Sequence, residues 1–269
     1  MTYFHLGYFG FMTVSEAMDR AASYSGKTLA LDADLAEAHA IAAALHICRN
    51  YDWPRADREF RRARELNPVS HEVSITFDYF WLVQKELYRE AIDESRRAVA
   101  RDPLAPVQHW RLAIRYMLVR EFDLALHELQ RAVELDPNYY AAAMHMPFVL
   151  LAMGRTAEAL AMLEPVGPLA RTPVMMAFRG LGYGVAGRTE DARRLLAELR
   201  EAAHSAYIPP TGLAMIHAGL GELSEAFECL DRAVEMRDCW IFHLWFFPQL
   251  DALRADPRYQ DLLRKIKLR

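Results

Sequence analysis

PLAPVQHWRLAIRYMLVREFDLALHELQRAVELDP (Pro103–Pro137) carries two helical patterns in 35 residues. Trp110, Ile114 and Met117 recur at i, i+4 and i+7, which marks one face of a helix, and Leu112, Ala113 and Tyr116 give that helix a second apolar face. The polar pair Arg120-Glu121 interrupts it. A second pattern follows through Leu124, Ala125, Leu129, Ala132 and Val133 and stops at Asp136-Pro137. Proline disfavours helix in the residue before it and suits the first turn of the next helix. The stretch therefore reads as two short antiparallel helices.

Ala125 belongs to a series. Alanine recurs at 56, 91, 125, 159, 192 and 226, with spacings of 35, 34, 34, 33 and 34. A period of this length means one supersecondary unit copied along the chain. Asn67-Pro68 and Asp102-Pro103 punctuate it as Asp136-Pro137 does. Neither helix of a unit can bury its apolar faces alone, so units must stack. The periodic alanine is expected where the two helices of a unit cross most closely. A larger side chain there would overpack the crossing at roughly 1–3 kcal/mol.

The spacing is similar to the tetratricopeptide repeat (TPR). The second-helix trio of that pattern is present as Ala56, Phe60, Ala63, as Ala125, Leu129, Ala132 and as Ala226, Leu230, Ala233. Its proline is present as Pro68, Pro103 and Pro137. Gly180 and Tyr183 match the first-helix Gly and Tyr, and Gly154, Gly187 and Gly221 match the turn glycine. The resemblance implies an all-α, right-handed α-solenoid of about six to seven helix-turn-helix units with a C-terminal capping helix. Residues 1–236 form the array and 237–269 an aromatic segment and cap. Leu6-Gly7 and Ala21 suggest a seventh, N-terminal unit. Its first helix starts almost at Met1, with no polar cap, so either the ancestral start lies upstream or something covers that end. YDWPRADREFRRARELNP (Tyr51–Pro68) and LRADPRYQDLLRKI (Leu253–Ile266) resemble TPR sensor regions of bacterial winged-helix regulators, serine/threonine kinases and adenylate cyclases. If the array is of that kind, its effector domain lies outside this chain.

Three irregularities stand out. The 35-residue spacing of the second unit leaves its first-helix register ambiguous, placing Asp78 or Tyr79 where the pattern wants a small residue. Pro147 falls inside a first helix, where it removes a donor and clashes one turn back, at about 3 kcal/mol in a regular helix. Pro165, Pro168 and Pro173 make Glu164–Pro173 a loop or hinge.

Chemistry is sparse. The segment Gly182–Gly187 fits GxGxxG, but a dinucleotide site needs that motif between a strand and a helix, and here it falls within a repeat helix and its turn. The ten histidines form no HExxH and no metal spacing with cysteine. His39 and His109 stand at the Trp position of the pattern and His217 at the Tyr position, which makes them packed core residues. No catalytic residue, cofactor or metal site can be named, and the expectation is a protein that is not an enzyme. Net charge −4 and pI near 6.2 offer no basic surface for a phosphate backbone. The longest apolar stretches are too short to span a bilayer. Three cysteines with wide spacings and no convincing signal peptide point to free thiols in a cytoplasmic compartment.

In TPR proteins the first helices line the concave face. Carried over by position, the groove here is Trp110, Ile114 and Met117, then Met144, Phe148 and Leu151, then Ala177 and Leu181, then Met215. It is apolar and lacks the Lys, Asn and Arg set with which chaperone-cofactor TPR domains clamp a carboxylate. The resemblance and this groove imply a protein-interaction scaffold that takes an amphipathic helix or extended peptide as partner. The alternative is the regulatory module described above. The aromatic run Cys239–Pro248 is expected to lie as a lid over the last repeat, continued by a helix over Asp256–Ile266.

Overall fold

The computed structural model describes residues 12–164 and 171–269. Each periodic alanine sits on the second helix of a two-helix unit. The units are α2 (Ala36–Asn50) with α3 (Trp53–Leu66), α4 (His71–Phe77) with α5 (Tyr88–Arg101), and α6 (Pro106–Leu118) with α7 (Phe122–Leu135). They continue as α8 (Tyr140–Ala152) with α9 (Thr156–Leu163), α10 (Pro173–Val185) with α11 (Thr189–Ala202), and α12 (Pro210–Gly219) with α13 (Leu223–Glu235). A single long helix, α1 (Val14–Leu31), precedes them and carries Ala21. Leu6-Gly7 lies outside the described residues, as do Pro165 and Pro168. No strand occurs among the described residues. The molecule is an all-α solenoid.

Ala56, Ala91, Ala125, Ala159, Ala192 and Ala226 are all fully buried. A second period runs five residues ahead of them. Tyr51, Glu86, Arg120, Gly154, Gly187 and Gly221 each have φ between 52° and 79° and end the first helix of their unit. From the second unit on, the next amide donates back to a carbonyl five residues earlier: Leu87 to Leu82, Glu121 to Tyr116, Arg155 to Leu150, Arg188 to Tyr183 and Glu222 to His217. That left-handed closure satisfies carbonyls a helix end would otherwise orphan.

The extra residue of the second unit is absorbed by a π turn, Asp78–Leu82, that continues α4. Its Val83 amide donates to the Asp78 carbonyl at 3.1 Å. One added residue leaves the rest of the array in phase. Helix α8 runs through Pro147. The glycines of α10 serve packing: a Cβ on Gly180 would stand 2.6 Å from Ile216, and one on Gly184 2.6 Å from the backbone of Gly219. The GxGxxG match thus belongs to a close approach of Gly182 to Leu163 of α9, of Gly184 to Gly219 of α12, and to the left-handed turn at Gly187.

The C-terminal segment does more than lie over the last repeat. After a left-handed turn at Arg237, the buried Asp238 accepts the amides of Thr211 and Trp240, both at 3.0 Å. A 3₁₀ helix, Cys239–Trp245, then enters the inner face formed by the first helices, and all seven of its residues are buried. Helices α14 (Asp251–Ala255) and α15 (Arg258–Lys265) follow. The latter covers α13, with Lys265 paired to Asp231 at 2.6 Å and the Arg258 guanidinium 4.5 Å from the Phe227 ring. The ends of the array meet: Trp53 Nε1 donates to the Ile266 carbonyl at 2.8 Å, and Arg237 lies 4.4 Å from the Tyr51 ring.

Candidate functional site

The aromatic segment fills the inner face over the later units. Phe247 packs on Phe148 at 4.8 Å, on Phe178 at 5.2 Å and flat against His145 at 5.6 Å. Trp240 meets Phe178 at 5.7 Å. Backbone contacts fix it: Gln84 Nε2 donates to the Phe242 carbonyl at 3.4 Å, and Gln249 Nε2 to the Phe148 carbonyl at 2.7 Å. Met117, Phe148, Ala177, Leu181 and Met215, placed on the groove by position, are buried, Phe148 under Phe247 and Ala177 and Leu181 against Gly212 and Gly219 of the next unit. A run of aromatics that reads as a lid by position is drawn inward because first helices present an apolar face with nothing else to cover it. Met144 and Leu151 stay half-buried.

What remains open is a cavity of about 340 Å³ over the earlier units. Ile41, Ile75, Val107 and Ile114 supply aliphatic walls, and Trp110, Tyr139, Tyr79 and Phe246 aromatic ones. Trp110 and Ile114 are the two groove residues that the structure brings to it. Its volume lies at the lower end of the roughly 300–1,000 Å³ of small-molecule sites, and its walls are mostly apolar, as such sites are.

One side of this cavity is charged. Arg111 and Arg115, on α6, face Asp78 at the start of the π turn, and all three are buried. Arg115 Nε lies 3.0 Å from both Asp78 oxygens, and Arg111 Nη2 3.3 Å from Oδ2. Arg111 also donates to Gln108 Oε1 at 3.0 Å and to Ser74 Oγ at 3.2 Å. Its Nε has no hydrogen-bond partner. Burial works to lower the Arg111 pKa, against the raising effect of the Asp78 carboxylate. Two buried guanidiniums thus share one carboxylate, leaving a formal surplus of one positive charge.

His145 and His243 also border the cavity. Burial lowers the His145 pKa to about 4, aided by Arg115 and opposed by the hydrogen bond to Ala141. Its Nδ1 lies 2.8 Å from the Ala141 carbonyl and 3.3 Å from the Trp110 indole Nε1. Burial likewise takes His243 well below the usual imidazole range, and Tyr79 Oη lies 2.9 Å from its Nδ1. The polar groups around the two arginines are therefore neutral.

Three further histidines tie helices together. His39 Nδ1 meets Glu59 at 2.6 Å and its Nε2 the Ala33 carbonyl at 2.9 Å. His109 repeats this with Glu128 at 2.6 Å and the Pro103 carbonyl at 3.0 Å. The second unit uses Ser74 and Glu94 at the same two positions, 3.1 Å apart. His217 bonds Glu222 at 2.7 Å. No group of three potential metal ligands gathers among the described residues.

Sequence reasoning missed the charged side. A signal was present: Arg111 and Arg115 stand four apart on a helix otherwise apolar, each next to a groove residue, with an acid in the preceding first helix. The unresolved register at Asp78 concealed the pairing.

No family model matches the chain, and no curated protein matches it. Among solved structures, one titled "Functional Characterization of Pseudomonas Aeruginosa pilF" is similar at 20% identity and a TM-score of 0.49, over 76% of this chain and 92% of that one.

Proposed function

We propose that the protein is a non-catalytic interaction scaffold that takes an apolar segment of a partner protein into the open stretch of its inner face. The observation that supports this is the chain's own tail. Its segment Cys239–Phe247 occupies the continuation of the same channel through aromatic side chains and bonds to backbone carbonyls, so the channel accepts an apolar segment without a helix of its own kind. Partner peptides of that character use the same physics. Half-buried Ile75, Val107 and Trp110 form the surface on which such a segment would rest.

The regulatory-module reading has one observation in its favour. The two stretches that resemble sensor regions, over 200 residues apart, touch through Trp53 and Ile266, so the first and last units are mechanically joined. A cytoplasmic location is part of the proposal, on the three free cysteines. No helix among the described residues is long and apolar enough to cross a membrane.

The test is crosslinked capture from native lysate with wild-type protein and with Ile75→Asp/Val107→Asp, circular dichroism confirming equal helicity. Loss of the same captured protein from the double variant supports the scaffold. Identical captured sets from both proteins sink it.

A further inference from the structure

We infer that the cavity beside Asp78 is a binding site for a small organic carboxylate with a flat apolar body, its carboxylate seated at Arg115 and its body between the aromatic walls. The site shares Ile75, Val107 and Trp110 with the surface proposed for the partner segment, but the assignment rests on the charged side and not on that reading.

The argument starts from charge. An isolated buried ion is costly, and a buried pair persists only when its geometry and hydrogen bonds compensate. Asp78 accepts from both arginines, so one guanidinium's charge stays uncompensated. A second acid, Glu94, acts on Arg111 through space. Its hydrogen-bonded link to the cluster runs through Ser74, and it is itself paired with Arg97 at 2.9 Å. His145 and His243 are neutral, and His71, bonded to Gln108 at 2.8 Å, is pushed by burial toward its neutral form. Glu94 acts on Arg111 from a distance, and no second carboxylate bonds either guanidinium among the described residues.

Donors point the same way. Every hydrogen bond from Arg115 goes to Asp78 and uses Nε and Nη2. Its Nη1 makes none among the described residues, although Arg115 is a wall of the cavity. The Arg111 Nε also lacks a partner, but it is sealed from the cavity, so the donor open to a ligand is that of Arg115. A carboxylate is a planar two-oxygen acceptor that guanidinium nitrogens bind strongly.

Shape limits the rest of the ligand. Trp110 and Tyr139 stand 6.4 Å apart between ring centres at an angle of 67°, and Phe246 lies 5.6 Å from the Arg115 guanidinium. The other walls are mostly aliphatic, and of the two guanidiniums that line the cavity Asp78 offsets one, so the net single positive charge matches a monoanion rather than a dianion such as a phosphate. The fit is to a monocarboxylate on an aromatic or branched body.

The experiment is isothermal calorimetry on the full chain at neutral pH with 3-phenylpropionate and indole-3-propionate, each against its uncharged amide. Both acids should bind one per chain, and each amide at least about tenfold more weakly, the range expected for hydrogen bonds to a charged group. Arg115→Gln should cause the same loss as the amide. Ile75→Trp, which narrows the cavity and leaves the ionic cluster intact, should abolish binding with circular dichroism unchanged. Equal affinity of acid and amide, no binding of either acid, or full affinity in Ile75→Trp would each overturn the assignment. So would affinity confined to peptides ending in an apolar residue, a result that would leave the scaffold standing.

Discussion

At the scale of single residues, the left-handed turns show how strain and contact are combined. Three units use glycine there, and three use Tyr51, Glu86 and Arg120. A side chain in this conformation costs about 1–2 kcal/mol. Each of the three reaches the C-terminal region: the Tyr51 hydroxyl lies 3.5 Å from the Val234 carbonyl, Glu86 pairs with Arg269, and Arg120 with Asp251. The contacts themselves are modest, since exposed ion pairs contribute about 0–1 kcal/mol, but they sit where the tail must be held. Gly187 separates the two effects, because a Cβ there meets no atom within 4 Å. Gly187→Ala is expected to destabilise by about 1 kcal/mol from backbone conformation alone, read as a lower urea midpoint at unchanged slope; an unmoved midpoint contradicts it. His145 gives a second residue-scale expectation. The unfolded imidazole takes up a proton near its ordinary 6.5, while the folded one resists until about 4. As pH falls through that window, stability attributable to this group declines, by up to about 3 kcal/mol. His243 acts in the same direction. Melting temperatures measured across the window should drop for the wild type and drop less for His145→Gln; parallel curves would refute the assignment.

At the scale of elements, the π turn is where repeat regularity gives way to the site. The unit needs 35 residues, and the extra one is spent turning Asp78 under α6, where Arg115 meets it. π turns of this kind often mark functional positions. Asp78→Asn would leave two buried guanidiniums without a counter-ion, and breaking a buried pair in this way is expected to cost about 3–5 kcal/mol. Chemical unfolding of that variant checks the figure, and a change below about 1 kcal/mol would mean that water already reaches the cluster. The elements were legible from sequence wherever local patterning decided them. The alanine series located all six second helices, because a close crossing tolerates little else, and Gly154, Gly187 and Gly221 marked their turns. Tyr51, Glu86 and Arg120 hid the same turn, since a strained non-glycine residue carries no compositional mark. The groove was legible only in part. Position within a helix says which face points inward, and Trp110 and Ile114 were found that way. It does not say whether a groove position is open or filled: Phe148 lies under Phe247 of the tail, and Leu181 packs against Gly219 of the next unit.

At the scale of the molecule, the tail converts an open array into one whose ends are joined. A solenoid unit contacts only its neighbours, so stability normally accumulates unit by unit. Here Phe242 touches Trp53 at 6.1 Å and Phe80 at 6.0 Å, Phe247 touches the fourth and fifth units, and α15 covers the sixth. Units far apart in sequence thereby share one core. Trp240, Phe242, Trp245, Phe246 and Phe247 are each at most 5% exposed, and burying a large apolar side chain contributes about 1.5–3 kcal/mol. Ordering the segment opposes this by roughly 1–2 kcal/mol per residue in backbone entropy. Removing it, however, also uncovers the partner surfaces, Phe80, Phe148 and Phe178 among them, which no other element would cover. Against a net stability of about 5–15 kcal/mol for a whole domain, that double exposure decides the sign. Truncation after Met236 is therefore expected to lower the melting temperature, broaden the transition as the units lose their shared core, and create sites for a hydrophobic dye. A truncated chain that melts like the full one, without dye binding, would show that each unit stands on its neighbours alone and that the tail merely rests in the channel.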